Sequence, residues 1–160
     1  MPTTSSDLSQ FKGNLHGQLI TSHDGDYEEA RTVWNGMIDK RPELIVRCTD
    51  KSDVINAVNF ARANHLLTAI RGGGHNVAGF GTCDGGMVID LSPMKDIAVD
   101  AASGTARAEA GLTWGEFDKA TQYFKDVLLV EGATEKAREE AKQGLELAKK
   151  KQEGNQKEYQ

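Results

Sequence analysis

The sequence predicts an α/β (α+β) domain: a small parallel βαβ sheet, then an antiparallel hairpin and a helix. Three observations predict it. Leu44 to Cys48 is a short β-branched run after Pro42 and reads as a buried strand, a helical pattern follows it at once, and Leu66 to Arg71 is a second apolar run. Parallel strands joined through a helix take a right-handed crossover. The hairpin follows from the alternation of Ile97 and Val99, then of Ala106, Ala108 and Ala110, on either side of a turn at Ala101 to Gly104.

In chain order, residues 1–13 are polar and are expected to be a flexible N-terminus, after which Asn14 to Ile20 alternates weakly. Tyr27 to Ile38 carries a helical pattern, with Tyr27, Ala30, Val33 or Trp34, and Met37 on one face; Tyr27 and Trp34 are expected core anchors. Asp50 is placed to cap the helix after the first strand, with Asp53 in its first turn, where a carboxylate favours the positive end of the dipole. Val54, Ala57 or Val58, Ala61 and His65 trace its buried stripe. Met87 to Leu91 is a third strand. Thr113 with Glu116 is a capping-box pair opening a helix whose face carries Phe117, Ala120 and Phe124.

Composition narrows the classes of function. With 160 residues, the length prior gives about one domain. A hydrophobic fraction of 38%, 27% charged residues and a net charge of -5 describe an ordinary soluble protein with no basic surface for nucleic acid. No apolar run approaches the roughly 20 residues that span a bilayer. Met1 to Asp7 lacks the charged and apolar regions of a signal peptide, so a cytoplasmic location is expected. Cys48 and Cys83 have no partner at metal-ligand spacing and read as thiols, and no metal is expected.

The chemistry centres on Arg71-Gly72-Gly73-Gly74-His75-Asn76-Val77-Ala78-Gly79-Phe80-Gly81, directly after the second strand. Three successive glycines remove the Cβ atoms that would keep a ligand from the backbone, and they permit the positive φ angles that turn neighbouring N–H groups to one side. Such a nest suits a phosphate or pyrophosphate. The glycine spacing is not that of a Rossmann turn, and no Gly-Lys-Ser/Thr follows as in a Walker loop. The third strand places the loop at the carboxyl edge of the sheet, where open α/β sheets bind ligands.

The loop resembles the Arg-x-Gly-Gly-His flavin attachment loop of FAD-linked oxidases of the p-cresol methylhydroxylase and vanillyl-alcohol oxidase type, in the berberine-bridge-like branch. The likeness extends through Pro42 to Val46, Asp53-Val54, Phe60 to Arg62, Val88 to Met94 and Gly111 to Glu116, covering residues 14–124. It implies the N-terminal part of an FAD-binding domain of the p-cresol methylhydroxylase type, incomplete at its C-terminus. The backbone amides of Gly72, Gly73, Gly74, His75 and Asn76 would then hold the FAD pyrophosphate, with Arg71 at the strand end. His75 would bond to the flavin 8α carbon, Gly79, Phe80 and Gly81 would close the loop over the cofactor, and Gly111 would let the backbone approach the ring. For Asn76 and Phe80, loop hydrogen bonding and loop packing stand beside ligand contact, and Asp90 is expected to cap the Ser92-Pro93-Met94 turn.

The family reaction implied is hydride transfer from an alcohol, amine or sugar carbon to flavin and then to oxygen, on a small-molecule substrate. No catalytic base is identified: His16, His23 and His65 have no orienting acid nearby in sequence. The resemblance ends after Phe124. Residues 125–151 give a divergent strand, Lys125 to Val130, and a charged helix from Ala133, while 152–160 has the composition of a disordered tail. The 133–151 helix is a possible protein-partner element, and a non-catalytic flavin- or nucleotide-binding fragment is the alternative reading. If a second flavin subdomain is missing, apolar surface near Val88, Ile97 and Val99 should be uncovered.

Overall fold

The computed structural model describes residues 5–100, 105–119, 135, 136 and 139. Two compact units divide between Lys95 and Asp96. In the first, the elements run α1 (Ser5–Gly13), β1 (Gln18–Thr21), α2 (Tyr27–Ala30), β2 (Leu44–Arg47), α3 (Lys51–Ala63), β3 (Thr68–Arg71) and β4 (Met87–Asp90). The sheet has the order β1-β2-β4-β3, with β2, β4 and β3 mutually parallel and β1 antiparallel at one edge. The expected α/β (α+β) class is therefore the observed one. β2 and β3 are parallel as expected, but β4 is inserted between them.

Alternation along the strands divides the core into two layers. Leu19, Leu44, Val46, Met87 and Ile89 face α3 and pack with Ala57 and Ala61, while Ile20, Ile45, Val88 and Ala69 face Tyr27 and Cys83. Met87, Val88 and Ile89 are completely buried because β4 is central. Each such side chain contributes roughly 1.5–3 kcal/mol by leaving water. The expectation of an uncovered Val88 is thus corrected.

α3 begins as its sequence dictates: the Asp50 side chain accepts from the Asp53 N–H at 3.0 Å. Its end differs from expectation. His65, placed on the buried stripe by periodicity, instead has φ 53 and is exposed. Leu66 N–H reaches Ala61 O at 2.9 Å and His65 N–H reaches Arg62 O at 3.3 Å, a Schellman ending whose left-handed position His65 occupies. Leu66 is thereby committed to the helix end, and β3 starts two residues later than the apolar run suggests.

Two further expectations are corrected. Residues 5–13 are not a flexible terminus but form α1, whose Phe11 is buried and stacks on Phe60 at 4.1 Å. Leu8, Phe11 and Leu15 supply the packing stripe. The helix predicted over Tyr27 to Ile38 stops at Ala30, with Tyr27 buried but Trp34 and Met37 exposed. Continuing it would require Ala30 O to accept from Trp34 N–H. Tertiary partners take both groups instead: Arg71 Nη2 donates to Ala30 O at 2.7 Å, and Trp34 N–H donates to Gly74 O at 3.2 Å.

In the second unit, β5 (Ile97–Asp100) pairs antiparallel with β6 (Thr105–Ala108), as the alternation predicted. Ile97 is half-buried, and every residue of β6 is exposed. The capping box forms: Glu116 Oε2 accepts from the Thr113 N–H and hydroxyl at 2.8 and 2.9 Å. The helix it opens spans 114–119 within the described residues, and Phe117 meets Trp114 edge-on at 5.9 Å. Residues 135, 136 and 139 are helical. Ala120, Phe124, the strand expected at 125–130, most of the 133–151 helix and the 152–160 tail lie outside the described residues. No helix among the described residues is long and apolar enough to cross a membrane.

Candidate functional site

Strands β2, β4 and β3 end in register at Arg47, Asp90 and Arg71. Since the three run parallel, these residues form one row at the carboxyl edge of the sheet. Arg71 Nη2 and Asp90 Oδ2 lie 2.7 Å apart, both side chains buried, and Arg47 Nε approaches the same oxygen at 3.9 Å from the solvent side. Asp90 also accepts from the Ser92 N–H at 3.0 Å, the expected turn cap. The Arg71 guanidinium further donates to Ala30 O and Thr32 O at 2.7 and 3.0 Å. Its charge is spent inside the protein, so its place in the site is that of a girder under the glycine loop.

The loop leaves β3 directly above this row. Among the described residues, no hydrogen bond within the chain takes up the backbone N–H groups from Gly72 to Val77. Gly74 has φ +72, in the left-handed region that turns successive amides to one side. The His75 ring folds back over Gly73, where a Cβ would come to 3.0 Å from Cδ2 and crowd the imidazole. Asn76 closes the loop, its carbonyl accepting from Gly79 N–H at 3.1 Å and its Oδ1 from Phe80 N–H at 3.0 Å. Gly79 (φ +74) is packed against Ile38, and Gly81 lies buried beside Arg71. The structure thus brings together Arg71, Gly72, Gly73, Gly74, His75, Asn76, Gly79, Phe80 and Gly81. Gly111 belongs to the second unit, in the turn where Leu112 N–H meets Glu109 O.

Several side chains that sequence reasoning left out belong to this region. Trp34 stands beside His75, with ring centroids 6.0 Å apart, and is 68% exposed. Val77 and the expected Phe80 are exposed on the same loop. Asn35 Nδ2 donates to Val77 O at 2.9 Å, and Lys40 Nζ to Gly79 O and Thr82 O at 3.1 and 3.4 Å. No local pattern gives these contacts, which join positions about 40 residues apart.

The remaining histidines and cysteines divide plainly. His16 Nδ1 meets Asp50 Oδ2 at 2.5 Å, an orienting acid that sequence proximity could not supply. This hydrogen bond raises the His16 pKa above its usual value and lowers that of Asp50. Asp53 completes a cluster whose ligand atoms lie within 4.8 Å of one another. Burial opposes the Asp53 charge, yet donors from Thr49, His16 and Gly17 outweigh it and hold its pKa low. Its two oxygens accept from the N–H groups of His16, Gly17 and Thr49 and from the Thr49 hydroxyl, at 2.8 to 3.0 Å, so Asp53 serves the chain's own backbone as a cap. Cys48 and Cys83 are free and buried. Burial pushes the Cys48 thiol up to about 12 and the Cys83 thiol in the same direction, so both are unreactive.

A row of unused amides at a strand end, a histidine folded over glycine and an exposed aromatic beside it make this loop the candidate ligand site. Residues 42–135 match the family model described as FAD binding domain. The chain belongs to this family. The FAD-linked oxidoreductase YgaK of Bacillus subtilis is 43% identical over 105 residues, covering 66% of this chain and 23% of its own. (R)-6-hydroxynicotine oxidase of Paenarthrobacter nicotinovorans is 36% identical over 111 residues, 69% of this chain and 24% of its own. Among solved structures, 6-hydroxy-D-nicotine oxidase from Arthrobacter nicotinovorans superposes with a TM-score of 0.65 at 36% identity, over 68% of this chain and 24% of that one. Berberine-bridge-like protein 1 of Physcomitrella patens gives 0.64 at 26% identity, over 74% and 26%. This FAD binding domain chain therefore spans about a quarter of the length of the relatives it matches.

Proposed function

We propose that this chain holds FAD through the 71–81 loop and serves a flavin-linked oxidase that removes hydride from an alcohol, amine or sugar carbon. The observation that carries the reading is the run of unengaged N–H groups from Gly72 to Val77 beneath an imidazole. When bound, FAD supplies the hydride acceptor and passes the electrons to oxygen. The chain's own contribution is placement. The amides of Gly72, Gly73, Gly74, His75 and Asn76 meet the negative pyrophosphate, Arg71 stiffens the strand end from below, and Trp34, Val77 and Phe80 exclude water from the ring side.

His75 is the residue we assign to the covalent link. His75 would give up its imidazole N–H to a C–N bond with the flavin 8α carbon, which would lose one C–H, with dioxygen taking up the two protons and two electrons released to give hydrogen peroxide. A linked flavin cannot dissociate. Two free, buried thiols suit a cytoplasmic setting.

The test is the mass of the purified chain after denaturation, with His75→Ala beside it. The expected result is an added mass equal to FAD less two hydrogens in the parent and none in the variant, which keeps its fold. A parent that neither carries that mass nor binds added FAD would contradict the proposal. Peroxide production with alcohols, amines and sugars then separates an oxidase from a non-catalytic flavin carrier.

A further inference from the structure

We infer that residues 32–40 form a bracket that sets the glycine loop and the His75 ring in their binding geometry before any ligand arrives, with Trp34, Asn35 and Lys40 as positioning residues. The inference rests on the reading of His75 as the flavin-bearing residue and goes beyond it by naming what aims that residue.

The bracket touches the loop at intervals along its length, and nearly always at a carbonyl. Trp34 N–H takes Gly74 O, Asn35 Nδ2 takes Val77 O, and Lys40 Nζ takes Gly79 O and Thr82 O. In a planar trans peptide the C=O and the following N–H point in opposite directions. Fixing Gly74 O toward the bracket therefore fixes His75 N–H away from it. Fixing Val77 O does the same for Ala78 N–H. Holding Gly74 O inward thus aims the His75 N–H outward, while the Gly79 and Phe80 N–H groups are taken by Asn76.

Side chains complete the arrangement. Ile38 fills the space above Gly79, where a Cβ would come to 2.9 Å from Ile38 Cγ2. The His75 imidazole lies close to Gly73 and 6.0 Å from the Trp34 indole, the two rings inclined at 35°. Trp34 keeps 68% of its surface in water to stand there. That cost suits an aromatic wall for an imidazole better than a core anchor.

Three readouts on the 160-residue chain test this. In a Trp114→Phe background, Trp34 is the single tryptophan. Its emission is expected to change in His75→Ala, because the two rings stand 6.0 Å apart. Asn35→Ala and Lys40→Met are expected to speed hydrogen exchange of the hydrogen-bonded Gly79 and Phe80 amides about tenfold, the equivalent of one hydrogen bond, with α3 unchanged. Trp34→Ala is expected to lower the covalently retained fraction of bound FAD several-fold, and Trp34→Phe to restore it. Unchanged loop exchange together with Trp34 emission indifferent to His75 would overturn the bracket. If the parent takes no FAD yet exchange and emission respond as stated, the bracket stands and the cofactor reading is what fails.

Discussion

Two turns leave the same sheet edge and treat their backbone donors in opposite ways. Where β2 ends and β1 begins, the N–H groups of Thr49, Gly17 and His16 converge on the Asp53 carboxylate, which the chain itself supplies. After β3, the N–H groups of Gly72 to Val77 converge on nothing within the described chain. The first turn is an anion site with its anion built in. The second, on the function proposed above, is an anion site left open. The difference teaches where to look for a ligand: a cluster of donors is informative only when no acceptor of the protein answers it.

The largest effect is expected where both turns share a support. Asp90→Ala leaves the Arg71 charge buried without its partner and should cost about 3–5 kcal/mol, read by denaturant unfolding. Arg71→Lys should not rescue function, because one ammonium cannot replace a fork that reaches Ala30 O, Thr32 O and Asp90 at once.

Breaking the closed turn comes next. Asp53→Ala strands several backbone donors and should cost about 3 kcal/mol, while FAD retention by the molecules that remain folded is unchanged. The folded-state pKa of Asp53 lies below its usual 3.8, so this stabilisation is present above that pH and is lost as pH falls through the lowered value. In the open turn, Gly79→Ala forces a side chain into a left-handed position against Ile38 and should cost about 1–2 kcal/mol. Here stability and flavin retention should fall together.

The smallest effect sharpens the contrast through pH. The His16 pKa is raised in the fold by its hydrogen bond to Asp50, so its contribution is full below about 6.5 and is lost as pH rises through the raised value. The thermal midpoints of the parent and His16→Ala should differ more at about pH 6 than at about pH 9. Both side chains of the pair face water, which keeps the difference small.

What the sequence disclosed follows from how local each signal is. The Asp50 cap, the Thr113–Glu116 box, the Asp90 turn and the strands around α3 all rest on residues within a few positions of one another, and each formed, β3 starting two residues later than expected. The glycine loop was legible for the same reason. Trp34 was not: its periodicity fitted a helix, and the acceptor that broke that helix, Gly74 O, lies 40 positions away. His65 failed because a Schellman ending, signalled by no glycine, took it off the stripe. Residues 5–13 did carry a usable signal in Leu8, Phe11 and Leu15, spaced as one helix face beneath an otherwise polar composition.

The central claim is that the second turn is open for an anion and the first is filled. Titrating FAD into the uniformly ¹⁵N-labelled chain and following its amide resonances tests it most directly. The account predicts that the amides of Gly72 through Val77 shift with saturation while those of Gly17 and Thr49 stay where they are. Saturating shifts at Gly17 and Thr49 with a silent glycine loop, or no shift anywhere, would contradict it.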